Sequence, residues 1–326
     1  MLQPMREEGD VLELRVDSAG YTTPRIRTLE FVAAEGRALP AFTAGAHIDI
    51  ELGNGEERSY SLLNDQSETH RYVVAVLREV GGRGGSAWMH DVLRPGDILR
   101  CSAPLNNFRL SEAAERHILI AGGIGITPIL SMAARLKELQ RDYVLHYCTR
   151  EPWEAAFADE IAARHGDRAK FYFDDGDPSQ GLGVASLLRT RPASTHVYVC
   201  GPASLIRATT EAGREWPKGT VHYELFKGSD ADIVPRSSDQ PFDVVLERAG
   251  KTLTVPADRS ILDVLKGEGI SVKSLCREGV CGTCRVGVIS GKVDHRDDCL
   301  DDEERDEAMQ ICVSRAMPGE TLVLDL

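Results

Sequence analysis

The run Cys276-Arg277-Glu278-Gly279-Val280-Cys281-Gly282-Thr283-Cys284, with Cys312 after 27 further residues, decides the reading of this chain. Its spacing, C-x4-C-x2-C…C, is that of thiolate ligands to a [2Fe–2S] cluster. Two irons need four soft thiolates in two pairs, and a tight loop must wrap one side of the cluster. Gly279 and Gly282 permit that turn, and the loop amides can then hydrogen-bond the sulfurs. Zinc is the competing metal. Its sites usually carry two C-x2-C knuckles or paired histidines, and only one C-x2-C pair is present here. The other cysteines, Cys101, Cys148, Cys200 and Cys299, lack the spacing. Cys101 and Cys148 read as buried strand residues.

Working outward, residues 240–326 form one unit. Phe242–Leu246 and Thr252–Val255 read as a hairpin across Ala249-Gly250, and a helix starts at Ser260 with Asp263 as its capping partner. Residues 227–239 (KGSDADIVPRSSD) are polar and read as a linker. Upstream, over 112–226, apolar runs at Ile118–Ala121, Val144–Tyr147, Phe171–Phe173 and Val197–Cys200 alternate with helical stretches near 128–139, 154–164 and 204–216. That alternation predicts βαβ units on a parallel sheet. Residues 10 to about 111 read as β-rich. Ile48, Ile50 and Leu52 alternate with polar residues ahead of the hairpin signal Asn54-Gly55. Residues 71–77 read as another strand, and Pro95-Gly96-Asp97 as a turn. This pattern predicts a small antiparallel barrel.

The whole chain has 326 residues, enough for two or three domains, and a net charge of −13. That charge argues against nucleic-acid binding. No apolar run is long enough to span a membrane, and the N-terminus lacks the h-region of a signal peptide. The expected compartment is the cytoplasm, where reduced cysteines favour metal or redox chemistry over disulfides. Residues 294–307 hold nine acidic and two basic side chains. Partner docking is one reading; a solvated loop and helix is the plainer one.

Two elements lie at the ends of predicted strands in the α/β region. Gly122-Gly123-Ile124-Gly125-Ile126-Thr127-Pro128 joins a strand to a helix, a place where backbone amides can meet a pyrophosphate. Tyr198-Val199-Cys200-Gly201-Pro202 ends a later strand. A glycine turn alone is as readily a packing device, and Cys200 alone as readily a buried thiol. Earlier in the chain stands Arg58-Ser59-Tyr60-Ser61. Arg58 offers a charged fork for phosphate, Tyr60 a packing surface and Ser61 a hydroxyl. Gly81-Gly82-Arg83-Gly84-Gly85-Ser86 precedes a short helical stretch, 87–91. It reads as a monophosphate site or as a flexible loop.

Residues 240–326 resemble plant-type ferredoxins, with their β-grasp fold. The GGxGxTP, CGP and RxYS motifs resemble those of the ferredoxin–NADP reductase superfamily. Across the chain, the order of flavin, nicotinamide and iron–sulfur modules is similar to the phthalate dioxygenase reductase family. That family includes the reductases of vanillate demethylase and carnitine monooxygenase. Asp294-His295-Arg296-Asp297 and the ending Leu322–Leu326 fit as well.

This resemblance implies three domains: an FMN barrel (1–111), an NAD(P)H-binding α/β domain (112–226) and, after the linker, a [2Fe–2S] ferredoxin domain (240–326). It implies FMN held by Arg58, Ser59, Tyr60, Ser61, Ala75, Val76, Gly84, Gly85, Ser86, Thr127 and Phe226. The last follows Glu224-Leu225 and is otherwise read as a core aromatic. It places the nucleotide on Gly122, Gly123, Gly125, Thr127, Pro128, Thr149, Arg150, Cys200, Gly201 and Pro202, and the reacting centre at Ser61, Cys200 and Phe226. Arg150 can recognise a 2′-phosphate, whereas Glu151 and Glu154 repel one. The residues leave both nucleotides open, and the resemblance implies NADH. The cluster ligands are Cys276, Cys281, Cys284 and Cys312.

The activity implied is an NADH-dependent oxidoreductase. It would pass electrons through FMN and the cluster to a terminal Rieske-type oxygenase, as a monomer docking transiently. Two alternatives are a reductase for a haem-thiolate monooxygenase and a redox-sensing iron–sulfur flavoprotein.

Overall fold

The computed structural model describes residues 11–80, 84–226, 238–274, 279, 282–297, 300 and 302–326. The chain divides into two compact units, Met1–Glu224 and Leu225–Leu326.

The first unit opens with six antiparallel strands: β1 (Val11–Thr23), β2 (Ile26–Ala33), β3 (His47–Glu51), β4 (Glu57–Ser61), β5 (Tyr72–Leu77) and β6 (Ile98–Ser102). Their order in the sheet is β4-β3-β6-β1-β2-β5. The edge strands β4 and β5 are consecutive in the chain, and the Leu63 amide donates to the Val73 carbonyl at 3.0 Å, drawing the edges together. Inside lie Leu14, Leu29, Phe31, Ile48, Ile50, Leu62 and Val74, all fully buried. The β3–β4 hairpin turns on Gly55, whose φ of +82° suits glycine. Cys101 sits in this core, as expected; Cys148 is only half-buried.

Helix α1 (Gly85–Asp91) lies beside this sheet. The buried Arg27 guanidinium of β2 donates to the carbonyls of Met89 (2.6 Å), His90 (2.9 Å) and Leu93 (3.0 Å). These acceptors stand at the end of α1, where carbonyls lack partners within the helix. One cation therefore ties the helix to the sheet.

A parallel sheet follows: β7 (Arg116–Gly122), β8 (Asp142–Thr149), β9 (Ala169–Phe173), β10 (Thr195–Cys200) and β11 (Val221–Glu224), ordered β11-β10-β7-β8-β9. The chain runs outward from β7 to β9 and then crosses back to β10. The switch point thus falls between β7 and β10. Helix α2 (Ile126–Glu138) covers the sheet through Ile129, Met132, Ala133 and Leu136. Two expected helices differ. The one expected at 154–164 is α3 (Ala158–His165), delayed by the left-handed Phe157 (φ +62°). After the short α4 (Val184–Leu187), the one expected at 204–216 is α5 (Ala203–Ala212). It stops at Gly213, where a side chain would strike Val221 of β11 at 2.7 Å. The polar face of this sheet carries His117, His196 and His222 around Tyr198. His222 stacks on Tyr198 at 4.4 Å between ring centroids, and the ring nitrogens of His196 and His222 lie 2.9 Å apart.

The two sheets of this unit meet through Ile26, Ala75 and Ala156, packed with Leu63, Ile124 and Phe157. The Gly45 amide also donates to Ser131 Oγ of α2 at 3.1 Å.

The second unit is a mixed sheet wrapped on one helix. Strands β12 (Phe242–Leu246), β13 (Lys251–Val255), β14 (Arg285–Ser290), β16 (Ala308–Gln310) and β18 (Leu322–Leu324) are ordered β13-β12-β18-β14-β16. Strands β15 (Val293–Asp294) and β17 (Arg315–Ala316) pair separately. Helix α6 (Ile261–Gly267) buries Ile261, Leu262 and Leu265 against the sheet. Ser260 caps it as expected: its hydroxyl accepts from the Asp263 amide (3.1 Å) and donates to that carboxylate (2.7 Å). A short helix α7 (Asp302–Arg305) precedes β16. Among the described residues, no helix is long and apolar enough to cross a membrane.

Candidate functional site

In the first unit, cross-strand pairing sets Arg58 opposite Ile50 and Tyr60 opposite Ile48 on one face of β4. It sets Ser59 opposite Asp49 and Ser61 opposite His47 on the other. The four residues of the expected flavin motif are thus divided between faces. What they share is the edge of the sheet on which β4 lies. Tyr60 packs against the barrel core, and burial raises its phenol pKa. Ser59 donates to Asp49 at 2.6 Å.

Arg58 is the informative residue. Its Nη1 pairs with Glu56 at 2.6 Å and donates to the Glu57 carbonyl at 2.8 Å, while Nη2 is buried with no hydrogen-bond partner among the described residues. A buried guanidinium nitrogen without an acceptor is costly. Beside it starts α1: a side chain on Gly85 would meet Arg58 Cγ and Nε at 3.2 Å. The residue before it, Gly84, is left-handed (φ +95°), and no side chain caps the helix start. An unsatisfied guanidinium nitrogen beside uncapped helix amides fits a phosphomonoester. Ser86 accepts from the Glu79 amide at 3.1 Å and so anchors the loop. Gly81, Gly82 and Arg83 lie outside the described residues. Ala75 and Val76 face apolar clusters, and the Val76 carbonyl is engaged by His90 Nε2 at 2.9 Å. Their side chains are packing residues.

The parallel sheet brings the two nucleotide motifs together. Cys200 pairs with Ala121 across the switch point, so Gly122 and Gly201 follow side by side. A Cβ on Gly125 would lie 2.3 Å from the Cys200 carbonyl oxygen, one on Gly122 2.6 Å from Pro202, and one on Gly201 2.8 Å from the Gly122 Cα. These glycines are required by the contact between the loops. Gly123 (φ +53°) has open space beside it and is the glycine free to face a ligand. Thr127 is buried, its hydroxyl donating to the Ile124 carbonyl at 3.1 Å, and Pro128 occupies the buried first turn of α2. Thr149 ends β8 with its hydroxyl on the Glu151 carbonyl (2.9 Å), and Arg150 after it is exposed.

Cys200 is fully buried, which pushes its thiol well above the ordinary range. Paired with it on β11 is Glu224, which the sequence marked only as part of the run leading to Phe226. Burial lifts its carboxyl to about 8, and its Oε2 has no hydrogen-bond partner among the described residues. Phe226 is half-buried and belongs to the second unit.

In the second unit, Cys284 and Cys312 are buried in one core with Met309 and Ile311. The Ile311 amide donates to the Cys284 carbonyl at 3.3 Å, drawing the two cysteines' segments together. Gly279 and Gly282 are left-handed (φ +75° and +72°), and a side chain on Gly279 would strike Val313 at 2.6 Å. Cys276, Cys281 and Cys299 lie outside the described residues. Two buried soft donors beside a loop that needs glycine fit a thiolate-held cluster. In the acidic stretch, Arg296 binds Asp239 and Asp294, and Arg285 binds Glu304. Part of its charge is therefore paired internally.

Residues 244–317 match the model of the 2Fe-2S iron-sulfur cluster binding domain, and residues 119–211 that of the oxidoreductase NAD-binding domain. The chain is 42% identical to the tert-butanol monooxygenase / tert-amyl alcohol desaturase reductase subunit of Aquincola tertiaricarbonis, over 97% of this chain and 96% of that protein. It is 40% identical to phthalate dioxygenase reductase, described as a modular structure for electron transfer from pyridine nucleotides to [2Fe–2S]. That match has a TM-score of 0.77 and covers 98% of this chain and 99% of the other. The chain belongs to the phthalate dioxygenase reductase family. As a member it is an oxidoreductase, an electron-transfer reductase with an NAD-binding domain and a C-terminal 2Fe-2S domain. A self-sufficient type IV cytochrome P450 monooxygenase is also similar. It is 37% identical with a TM-score of 0.78, over all of this chain and 43% of that one.

Proposed function

We propose that this chain is the reductase of a two-component Rieske-type oxygenase, drawing electron pairs from NADH and delivering them singly through FMN and a [2Fe–2S] cluster. The flavin, when bound, supplies the coupling between a two-electron donor and a one-electron acceptor. Arg58 Nη2 and the amides of Gly84, Gly85 and Ser86 hold its phosphate, and Tyr60 and Ser61 orient its ring along the edge of β4. Gly123 and the first amides of α2 receive the pyrophosphate of the nucleotide. Cys200, Gly201 and Pro202 position the nicotinamide, and Thr149 and Arg150 lie toward its adenosine. A hydrogen bond between the Glu151 and Asp175 side chains raises the Glu151 carboxyl; the Asp175 amide donates to the Arg150 carbonyl at 3.0 Å, so acidic groups gather beside Arg150 and disfavour a 2′-phosphate. This supports NADH. Cys276, Cys281, Cys284 and Cys312 ligate the cluster. The boundaries 1–111, 112–226, 227–239 and 240–326 divide these tasks, in a cytoplasmic monomer that docks its partner transiently.

The observation that carries the reading is the backbone contact between the glycine loop and the Cys200-Gly201-Pro202 turn at the switch point. An anaerobic absorbance titration with NADH, repeated with NADPH, tests it. Flavin and cluster bands should both bleach with one equivalent-scale addition of NADH and resist NADPH. Flavin bleaching with a cluster that stays oxidised breaks the proposed path. The likeness to a self-sufficient P450 supports a second reading, a haem-thiolate partner. Single-electron delivery to a purified Rieske oxygenase and to a P450, compared at equal concentration, separates the two. Slow NADH turnover with neither partner would favour a redox sensor.

A further inference from the structure

Gln310 stands on β16 opposite Arg285, the residue after Cys284. Its side chain is fully buried. Its Oε1 lies 3.1 Å from Cys284 Sγ, with the thiol donating. Its Nε2 is buried with no hydrogen-bond partner among the described residues. The backbone holds this residue in place: the Gln310 carbonyl accepts from the amides of Val313 (3.3 Å) and Ser314 (3.0 Å).

A cysteine that ligates iron is a thiolate and has no proton to donate. With the cluster in place, the arrangement above would set an acceptor oxygen against a sulfur bearing only lone pairs. The two ends of an amide are nearly equal in shape and exchange by a half-turn of the last side-chain torsion. We propose that Gln310 turns its amide nitrogen toward Cys284 Sγ and, by an N–H···S hydrogen bond to this cluster ligand, raises the midpoint potential of the cluster. Reduction adds negative charge to the cluster and its sulfurs. A donor at one of them therefore favours the reduced form over the oxidised one, and hydrogen bonds to sulfur are among the determinants of such potentials. Gln310 is a positioning residue: it acts through Cys284. The inference rests on the assignment of Cys284 as a ligand.

The test uses the full chain with FMN and cluster, in a reductive titration followed by the EPR signal of the reduced cluster. Gln310→Met keeps the volume and removes the donor. It should shift the one-electron equilibrium about tenfold toward the oxidised cluster, about 59 mV, with iron and labile sulfide content and the flavin potential unchanged. Gln310→Glu, which only accepts when ionised, should lower the potential at least as far. An unmoved potential in Gln310→Met with full cluster content overturns the proposal. A measurement on the wild type needs no variant to assemble: glutamine labelled with 15N in its side-chain amide should couple to the reduced cluster in pulsed EPR. Absence of that coupling also overturns it. Wild-type protein without a cluster after reconstitution overturns the ligand assignment, and this inference with it.

Discussion

At the residue scale, two of the buried polar atoms without a partner among the described residues lead to predictions in the first unit. Arg58 Nη2 is one. A hydrogen bond to a charged group contributes about 1.5–3 kcal/mol, so Arg58→Met should weaken FMN binding about 10- to 100-fold. Riboflavin, which lacks the phosphate, should bind the variant and the wild type alike. Fluorescence titration with both ligands reads the difference, and equal losses for the two would refute the phosphate role. The Glu224 carboxyl is the other. Its ordinary value of 4.5 is lifted by burial to about 8. Between those values the folded chain keeps a proton that the unfolded chain has released. Stability should therefore fall as pH rises from about 4.5 through 8. Glu224→Gln, neutral throughout, should flatten that part of the curve in thermal melts of the cofactor-free protein. Arg58 was legible from its motif. Glu224 was not singled out, because only the pairing of β11 with β10 places it beside Cys200.

At the scale of elements, α1 shows how a short helix is held where its start is useful. Seven residues form too few turns to be stable alone. Arg27 supplies the missing support from 62 to 66 residues earlier in the chain by donating to three carbonyls at its far end. Arg27→Met leaves those acceptors without their donor. It should cost about 2–4 kcal/mol of stability and loosen FMN retention without altering Arg58. Arg27→Lys should recover only part, since a point charge cannot span three acceptors. Chemical denaturation and flavin release check both. The glycine-rich run before α1 was readable in the sequence. The role of Arg27 was not, because an arginine on a strand pointing to a distant helix leaves no periodic trace.

At the scale of the whole molecule, the modules divide the chemistry, and the division can be tested by removing one. Cys312 lies buried in the core of the second unit, away in sequence from the other expected ligands. Cys312→Ser should abolish a stable cluster. NADH oxidation by ferricyanide, which accepts electrons from the flavin, should continue near the wild-type rate. Electron delivery to the terminal partner should fall by at least 100-fold. Loss of both activities together would mean that the first unit depends on the second. The internal ion pairs of Arg285, Arg296 and Arg305 show that the acidic stretch at 294–307 is partly neutralised within its own unit. Its net charge alone is therefore a poor guide to docking.

What the sequence alone determined is whatever depends on spacing along the chain. The four-cysteine pattern, the alternation of strands with helices, the hairpin at Asn54-Gly55 and the cap at Ser260 are local, and local chemistry writes itself into residue order. What only the tertiary structure decided is which distant residues share a neighbourhood. Gly122 and Gly125 read as part of a loop whose amides can meet a pyrophosphate, and the fold adds a second reason for glycine: it presses them against Pro202 and the Cys200 carbonyl, where any side chain would collide. The side chains of Ala75 and Val76 joined two different apolar clusters once the sheets packed. Gln310 met Cys284 only when β16 paired with β14. Contacts of this kind arise from strand register and packing between segments far apart in the chain, and no one-dimensional pattern records them.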